Sequence, residues 1–494
     1  MNGKTTISQR WLSTMSHFKN HVSPSLTPTI KQWLNRTLEP GSQGAVSGHV
    51  KSVRQMKSIQ FVDISDGSSP NLLLVVIKKN ADDPKLDLRV GQSIHVNGQW
   101  ALSKGNEQTI ELKCTTTDPS SISVIGDVPD SYPMQKKSHS LQFLRTQPTL
   151  RHRTNLLSSV LRFRSFVESR FIEYYEEKGF CKVSPPIITS SDCEGAGDMF
   201  KIEAPPKGHS EIHHKQGFFG RPTFLTVSTQ LHLEVLALSL NRVWTLTPCF
   251  RAENSNTNRH LSEFWMLEAE ICYVDDVSQL TDFCEDMIRS VTEKIVSSNA
   301  ATDIMSSRFD KEEVEAMQNR WATILSDKKW PSITYNDACE LINLVMYKDE
   351  PQNRLSWGES IQTVHEKWLA GEYFRSPIFI TDYPVGEKPF YMPKSKNFDR
   401  EKPTVACFDL IFPEIGELIG GSLREHRYDE LVAAMTSRGM NVNDMQWYLS
   451  TRENGSVPHG GFGMGFERLI AYLGAVENIK DIIPFPRSPL TCDC

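Results

Sequence analysis

The 494-residue chain has no apolar run long enough to cross a bilayer, which takes about 20 residues, so no membrane is expected as a partner. It has no CxxC and no His/Cys spacing of the zinc type. Its ten cysteines are scattered, with only Cys492 and Cys494 close together, and read as reduced thiols of a non-secretory compartment. It also lacks an excess of positive charge. At a net −6, a nucleic-acid partner would have to be met by local basic surface and not by the field of the whole molecule. Acids are missing from two stretches. Met1–Leu38 holds five Lys/Arg and no Asp or Glu, many Ser and Thr, and Ile7, Trp11, Met15 and Phe18 on one helical face. That pattern predicts a targeting leader over 1–27 and import into the mitochondrion, ending in the matrix; a disordered tail on a cytoplasmic protein is the alternative. Ser131–Val167 holds seven Lys/Arg and no acid, and predicts a basic linker over 131–155 able to neutralise phosphates, or else merely a solvated one.

What is present is a globular composition, 39% hydrophobic and 23% charged, with room for two or three domains. Residues 28–130 contain short strand patterns over Ala45–Val53, Ile59–Ser65, Leu72–Lys78, Ser93–Leu102 and Glu107–Thr115, separated by turn signals such as Asp66-Gly67 and Lys104-Gly105. Five strands in that space predict a small barrel of the OB type, which binds single-stranded nucleic acid on aromatics beside basic groups. Lys51, Arg54, Lys57 and Phe61 have that composition, although Phe61 taken alone reads sooner as half-buried core. From about 156 to 494 one larger α+β domain is predicted. It opens with a helix whose Val160, Phe163, Val167, Phe171 and Tyr174 form an apolar stripe, followed by a strand running into Pro185-Pro186.

Three runs carry chemistry. The first is Phe250-Arg251-Ala252-Glu253-Asn254 with Arg259-His260-Leu261-Ser262-Glu263-Phe264. If Val243–Glu253 and Glu263–Tyr273 are strands, Arg251 and Glu253 share a face and 254–262 forms a loop over it. Arg for a phosphate or carboxylate, Glu for an exocyclic amine and Phe264 for a purine suit a nucleotide; a surface hairpin with a salt bridge is the plain alternative. The second is Gly460-Gly461-Phe462-Gly463-Met464-Gly465 before an apolar helix pattern with Arg468 in its first turn. Such glycines let backbone approach a ligand, or answer a packing need. In the third, Pro413 and Gly416 suit a turn that brings Asp409 and Glu417 together, as hydrated Mg²⁺ next to a triphosphate requires.

These runs resemble motifs 2 and 3 of the class II aminoacyl-tRNA synthetases, in the aspartate–asparagine–lysine subgroup. The helix–strand–proline unit ending at Pro186 resembles motif 1, and the likeness spans about 28–490. The resemblance implies an N-terminal OB-fold anticodon-binding barrel, with Lys51, Arg54 and Phe61 at the anticodon. It further implies a class II catalytic domain with an antiparallel sheet flanked by helices, and a homodimer built through the Pro186 region. By resemblance Arg251 bridges the amino-acid carboxylate and the α-phosphate, Glu253 and Phe264 take the adenine, and Arg259, His260 and Arg468 hold the β/γ end of ATP. Asp409 and Glu417 become Mg²⁺ ligands. Glu194, Ser228 and Gln230 fall where the family holds the amino acid, Glu194 and Gln230 on its α-ammonium. Aspartyl members carry a lysine three residues after that glutamine, where this chain has Leu233. Losing the cation penalises an aspartate carboxylate by several kcal/mol and leaves a neutral amide unaffected. Arg424 can then donate to the amide oxygen, with Glu263 as candidate acceptor of the amide nitrogen. The expected substrates are ATP, asparagine and tRNA(Asn). An aspartyl enzyme charging both tRNAs and a catalytically silent paralogue are the alternatives.

Overall fold

The computed structural model describes residues 26–79, 86–105, 109–191, 199–203, 218–308 and 310–494, so most of the expected leader lies outside it. The described residues form two compact units, one ending at His139 and the other beginning at Ser140.

In the first unit, alternation of buried and half-exposed positions builds six strands: β1 (Gln43–Gln55), β2 (Ile59–Ser65), β3 (Leu73–Lys78), β4 (Ser93–Leu102), β5 (Ile110–Thr115) and β6 (Ile122–Gly126). The pairing β1–β2–β3–β5–β4 returns to β1, closing a five-stranded barrel with β6 added beside β4; only β3–β5 is parallel. Closure removes open edges. Val46, Val62, Ile64, Val75, Ile94, Val96 and Leu112 fill the interior. Trp100 enters it because Gly44 has no side chain: a Cβ there would sit 2.2 Å from the indole nitrogen. The strand expected over 107–115 is observed from Ile110, residues 106–108 being outside the described ones.

The second unit claims the latter half of the supposed linker. Arg145 and Arg151 each lie 3.1 Å from Asp481 Oδ1, so both cations are held by a carboxylate of their own chain, and Arg151 is buried as well. The helix Asn155–Glu177 buries all five residues of the predicted stripe and ends before Gly179, whose φ of +73° suits glycine. The strands that follow are β7 (Cys181–Lys182), β8 (Ile188–Thr189), β9 (Phe224–Leu225), β10 (Arg242–Phe250), β11 (Glu263–Cys272), β12 (Ser332–Thr334), β13 (Ile378–Thr381), β14 (Cys407–Phe412), β15 (Gly416–Arg424) and β16 (His459–Gly465). Apart from the short β8–β9 pair they form one sheet in the order β12-β13-β14-β15-β16-β11-β10-β7. Its six central strands are antiparallel, and only the two edge strands run parallel to their neighbours. Period two gives the sheet two faces. Leu267 and Ala269 of β11, Phe408 and Leu410 of β14 and Met464 of β16 join the helices 155–177, 277–296, 311–324 and 466–473 in the main core. Glu268, Glu270, Asp409 and Gly463 turn to the opposite face, which carries the site.

Candidate active site

Two adjoining cavities lie on that face, of about 600 Å³ and 150 Å³, and Arg251, Met266, Glu417 and Gly463 line both.

The larger is floored by β11, β15 and β16 and walled by the helix Gln230–Leu240 and the segment 386–392. Ser228, Gln230, Leu233 and Arg424 all line it. Glu268 is buried beneath, accepting from the Ser228 hydroxyl, the Thr229 hydroxyl (2.5 Å) and the Thr229 N–H (3.0 Å). Arg424 donates through Nη1 to Ser422 Oγ (2.6 Å), and through Nε (3.1 Å) and Nη2 (2.5 Å) to Glu270 Oε1. Burial pushes the Glu270 carboxyl up to about 7, against the opposing pull of Arg424. The space for that carboxyl comes from Gly461: a Cβ there would sit 2.3 Å from Glu270 Oε1. The glycine run thus serves both of the needs expected of it: Gly463 brings backbone to the cavities, and Gly461 answers a packing need. Gly460, Gly461 and Gly463 lie inside β16, paired on both sides, and the room left at 461 is filled by the chain's own glutamate.

The smaller cavity gathers Arg251, Glu253, Arg259, His260, Phe264 and Arg468. Here the expected strand is corrected. β10 stops at Phe250, opposite Glu263, so Arg251 and Glu253 come from the loop and not from a shared strand face. The Arg251 N–H still donates to Ser262 O (3.0 Å), its guanidinium carbon stands 5.5 Å from the Phe264 ring centroid, and Nη1 is 3.9 Å from Glu253. Arg259 donates to Thr363 Oγ1 (3.0 Å) and Arg468 to Glu417 O (3.0 Å). Burial, then Arg468, pushes His260 below its ordinary value.

Asp409 and Glu417 meet where the cavities join, brought there by β14–β15 pairing with a bulge after Leu410. Lys388 Nζ donates to Asp409 (2.6 Å), and its ammonium lies over the Tyr383 ring. A further carboxyl, Glu366, accepts the Glu417 N–H (3.2 Å). Burial first, then the charges of Glu417 and Asp409, push it up to about 7. No cluster of three His, Cys, Asp or Glu side chains among the described residues is arranged to hold a metal alone. The donor set is instead the one- or two-carboxylate kind that Mg²⁺ uses when phosphates and water complete its shell.

Four site residues escaped the sequence reading: Glu268, Glu270, Lys388 and Glu366. Glu268 and Glu270 had a signal, two acids at period two in the otherwise apolar run that follows Glu263; Glu366 had none. Glu263, expected to accept from an amide, lines neither cavity, and the carboxyl beside Arg424 is Glu270. Glu194 lies outside the described residues. Pro186 is exposed beyond β7. In the barrel, Arg54 and Phe61 are cross-strand partners, the guanidinium carbon 5.7 Å from the ring centroid. Phe61 lies half-exposed on the outer face, away from the interior; Lys51 is on β1. No helix among the described residues is long and apolar enough to cross a membrane.

The family profile described as tRNA synthetases class II (D, K and N) matches residues 140–489. The mitochondrial asparagine–tRNA ligase of Saccharomyces cerevisiae is 45% identical over 465 residues, 90% of this chain and 92% of the relative. The asparagine–tRNA ligase of Microcystis aeruginosa is 40% identical over 95% of this chain and 100% of its own length. Among solved structures, asparaginyl-tRNA synthetase of Pyrococcus horikoshii complexed with asparaginyl-adenylate superposes with a TM-score of 0.81 at 26% identity, covering 95% and 100% of the two chains. The Entamoeba histolytica asparaginyl-tRNA synthetase in complex with the same adenylate gives 0.76 at 26%, covering 93% and 98%.

Proposed function

This chain belongs to the class II tRNA synthetases of the D, K and N group, and we infer that it is an asparagine–tRNA ligase. It uses ATP to activate asparagine and passes the product to tRNA(Asn). The observation that carries the choice of amino acid is the Arg424–Glu270 pair in the larger cavity, with Leu233 where a cation would be needed for aspartate. An amide has an acceptor and a donor, and the pair offers the converse: Arg424 to the oxygen, Glu270 from the nitrogen. An aspartate carboxylate would instead meet Glu270. Ser228 and Gln230 flank the amino-acid end, as does Glu194 by resemblance.

Arg251 lines both cavities, which suits a group spanning the amino-acid carboxylate and the α-phosphate. In-line attack of that carboxylate on the α-phosphorus forms the acyl–phosphate bond and expels pyrophosphate. The terminal ribose 3′-hydroxyl of tRNA then attacks the carbonyl and releases AMP. Glu253 and Phe264 would seat the adenine, and Arg259, His260 and Arg468 the β/γ end, so that catalysis rests on positioning and preorganised charge. Asp409 and Glu417, with Glu366 behind them, fit Mg²⁺, which when bound offsets the charge of the departing pyrophosphate. Lys51, Arg54 and Phe61 would meet the anticodon, and the Pro186 region a second copy of the chain. The acid-poor N terminus and the Saccharomyces cerevisiae relative support a mitochondrial site of action, in the matrix; the Microcystis relative keeps the cytoplasm as the alternative.

Pyrophosphate exchange with ATP and Mg²⁺ tests the reading. Exchange with asparagine and not aspartate is expected. Exchange with aspartate would overturn the specificity, and exchange with neither would favour a catalytically silent paralogue.

A further inference from the structure

Beneath the larger cavity lies a charged cluster whose central residue none of the roles above uses. Its hub is Glu234, a turn into the helix Gln230–Leu240 and wholly buried. Oε2 accepts from Tyr448 Oη (2.7 Å) and Arg452 Nη2 (2.6 Å) and lies 3.0 Å from His459 Nε2. Oε1 accepts from Gln230 Nε2 (3.1 Å) and lies 3.9 Å from Arg424 Nε. Burial alone would keep this carboxyl protonated, but Arg452, followed by His459 and Arg424, carries it well below the usual carboxylate range.

Two consequences follow from an ionised, acceptor-only group at this point. Gln230 must give its amide N–H₂ to Glu234, which leaves its carbonyl oxygen for the cavity. An α-ammonium, which has only donors, requires that orientation. Arg424, meanwhile, is shared between two carboxylates and is not left as a bare cation facing the substrate. Arg424 is thus already engaged by Glu270 and Glu234 when a side chain enters the cavity, so an aspartate carboxylate would have to compete with two buried acids for it.

We propose that Glu234 is a positioning residue that sets the preference for asparagine over aspartate, by holding Gln230 as an acceptor and by offsetting the positive charge behind Arg424. This rests on the asparagine reading above. Pyrophosphate exchange on the full chain, wild type and Glu234→Gln, with each amino acid, separates the possibilities. A wild type that prefers aspartate would overturn the asparagine reading itself. With a selective wild type, the variant is expected to raise KM for asparagine about tenfold, leave KM for ATP within about twofold, and lower the asparagine-to-aspartate ratio of kcat/KM about 100-fold. An unchanged ratio, with both amino acids losing equally, would reduce Glu234 to a structural role and overturn the proposal. Because Glu234→Gln leaves Arg452 buried without its counter-ion, a second variant, Glu234→Gln with Arg452→Met, removes both charges together. It is expected to keep aspartate excluded while KM for asparagine stays raised about tenfold; an asparagine KM equal to wild type would overturn the positioning of Gln230.

Discussion

The two ends of the cleft are built in opposite ways. At the amino-acid end Leu233, Glu268, Glu270 and Arg424 are 0–3% exposed and stand on regular elements, with a partner for each charge. At the nucleotide end Arg251 and Glu253 are 33% and 43% exposed along their side chains and hang from the loop between β10 and β11. Choosing one amino acid over a near isostere requires fixed, desolvated groups, because an unpaired buried polar atom is what rejects the wrong ligand. Holding a triphosphate requires charge that can close on it, and a loop supplies that.

Substitutions at the two ends should therefore fail differently. The largest effect belongs to Arg468→Ala, which is expected to lower exchange about 1,000-fold while leaving Tm within about 2 °C, since the nucleotide end contributes to chemistry more than to folding. Near-wild-type exchange would remove Arg468 from the site and blur the contrast. Leu233→Lys should do the reverse. A lysine at a fully buried position lowers Tm, yet beside Glu270 it is expected to raise kcat/KM for aspartate about tenfold. Undetectable aspartate activation in a folded variant would show that the missing cation does not decide specificity.

The third effect is gentler and concerns pH. The Glu270 carboxyl titrates near 7 in the folded protein and at the ordinary glutamate value when unfolded. Between those values the folded state holds the extra proton, so this group's contribution to stability falls as pH rises towards about 7. Its capacity to accept from an amide rises over the same range. KM for asparagine is expected to drop about tenfold from pH 6 to 8, a dependence that Glu270→Gln should flatten. A flat profile in the wild type would mean that some group other than Glu270 reads the amide.

The barrel strands Ile59–Ser65 and Ser93–Leu102 and the stripe of the helix 155–177 were legible because their periods are local. So was the company of Arg251, Glu253, Arg259 and Phe264, neighbours along the chain. What resisted reading depended on register between distant strands. Glu270 becomes a site residue only because β11 pairs with β16 so that it faces Gly461, almost two hundred residues on. Lys388 and Glu366 stand on segments with no periodic signal, and only folding sets them against Asp409 and Glu417. The glycine run before the helix was legible as a strand–helix junction, but which of its glycines meets the cavity and which makes room for Glu270 depends on pairing with β11 and β15.

The late position of β16 in the chain has a bearing on biosynthesis. It lies between β15 and β11, so until residues 459–465 have left the ribosome both neighbours keep a row of unpaired backbone groups and the sheet has a gap at its middle. The nascent protein cannot complete this sheet domain by domain from its N terminus. The edge of β11 stays open from residue 272 onward and that of β15 from residue 424, and β16 closes both in one late event, joining two halves of the sheet that were made separately.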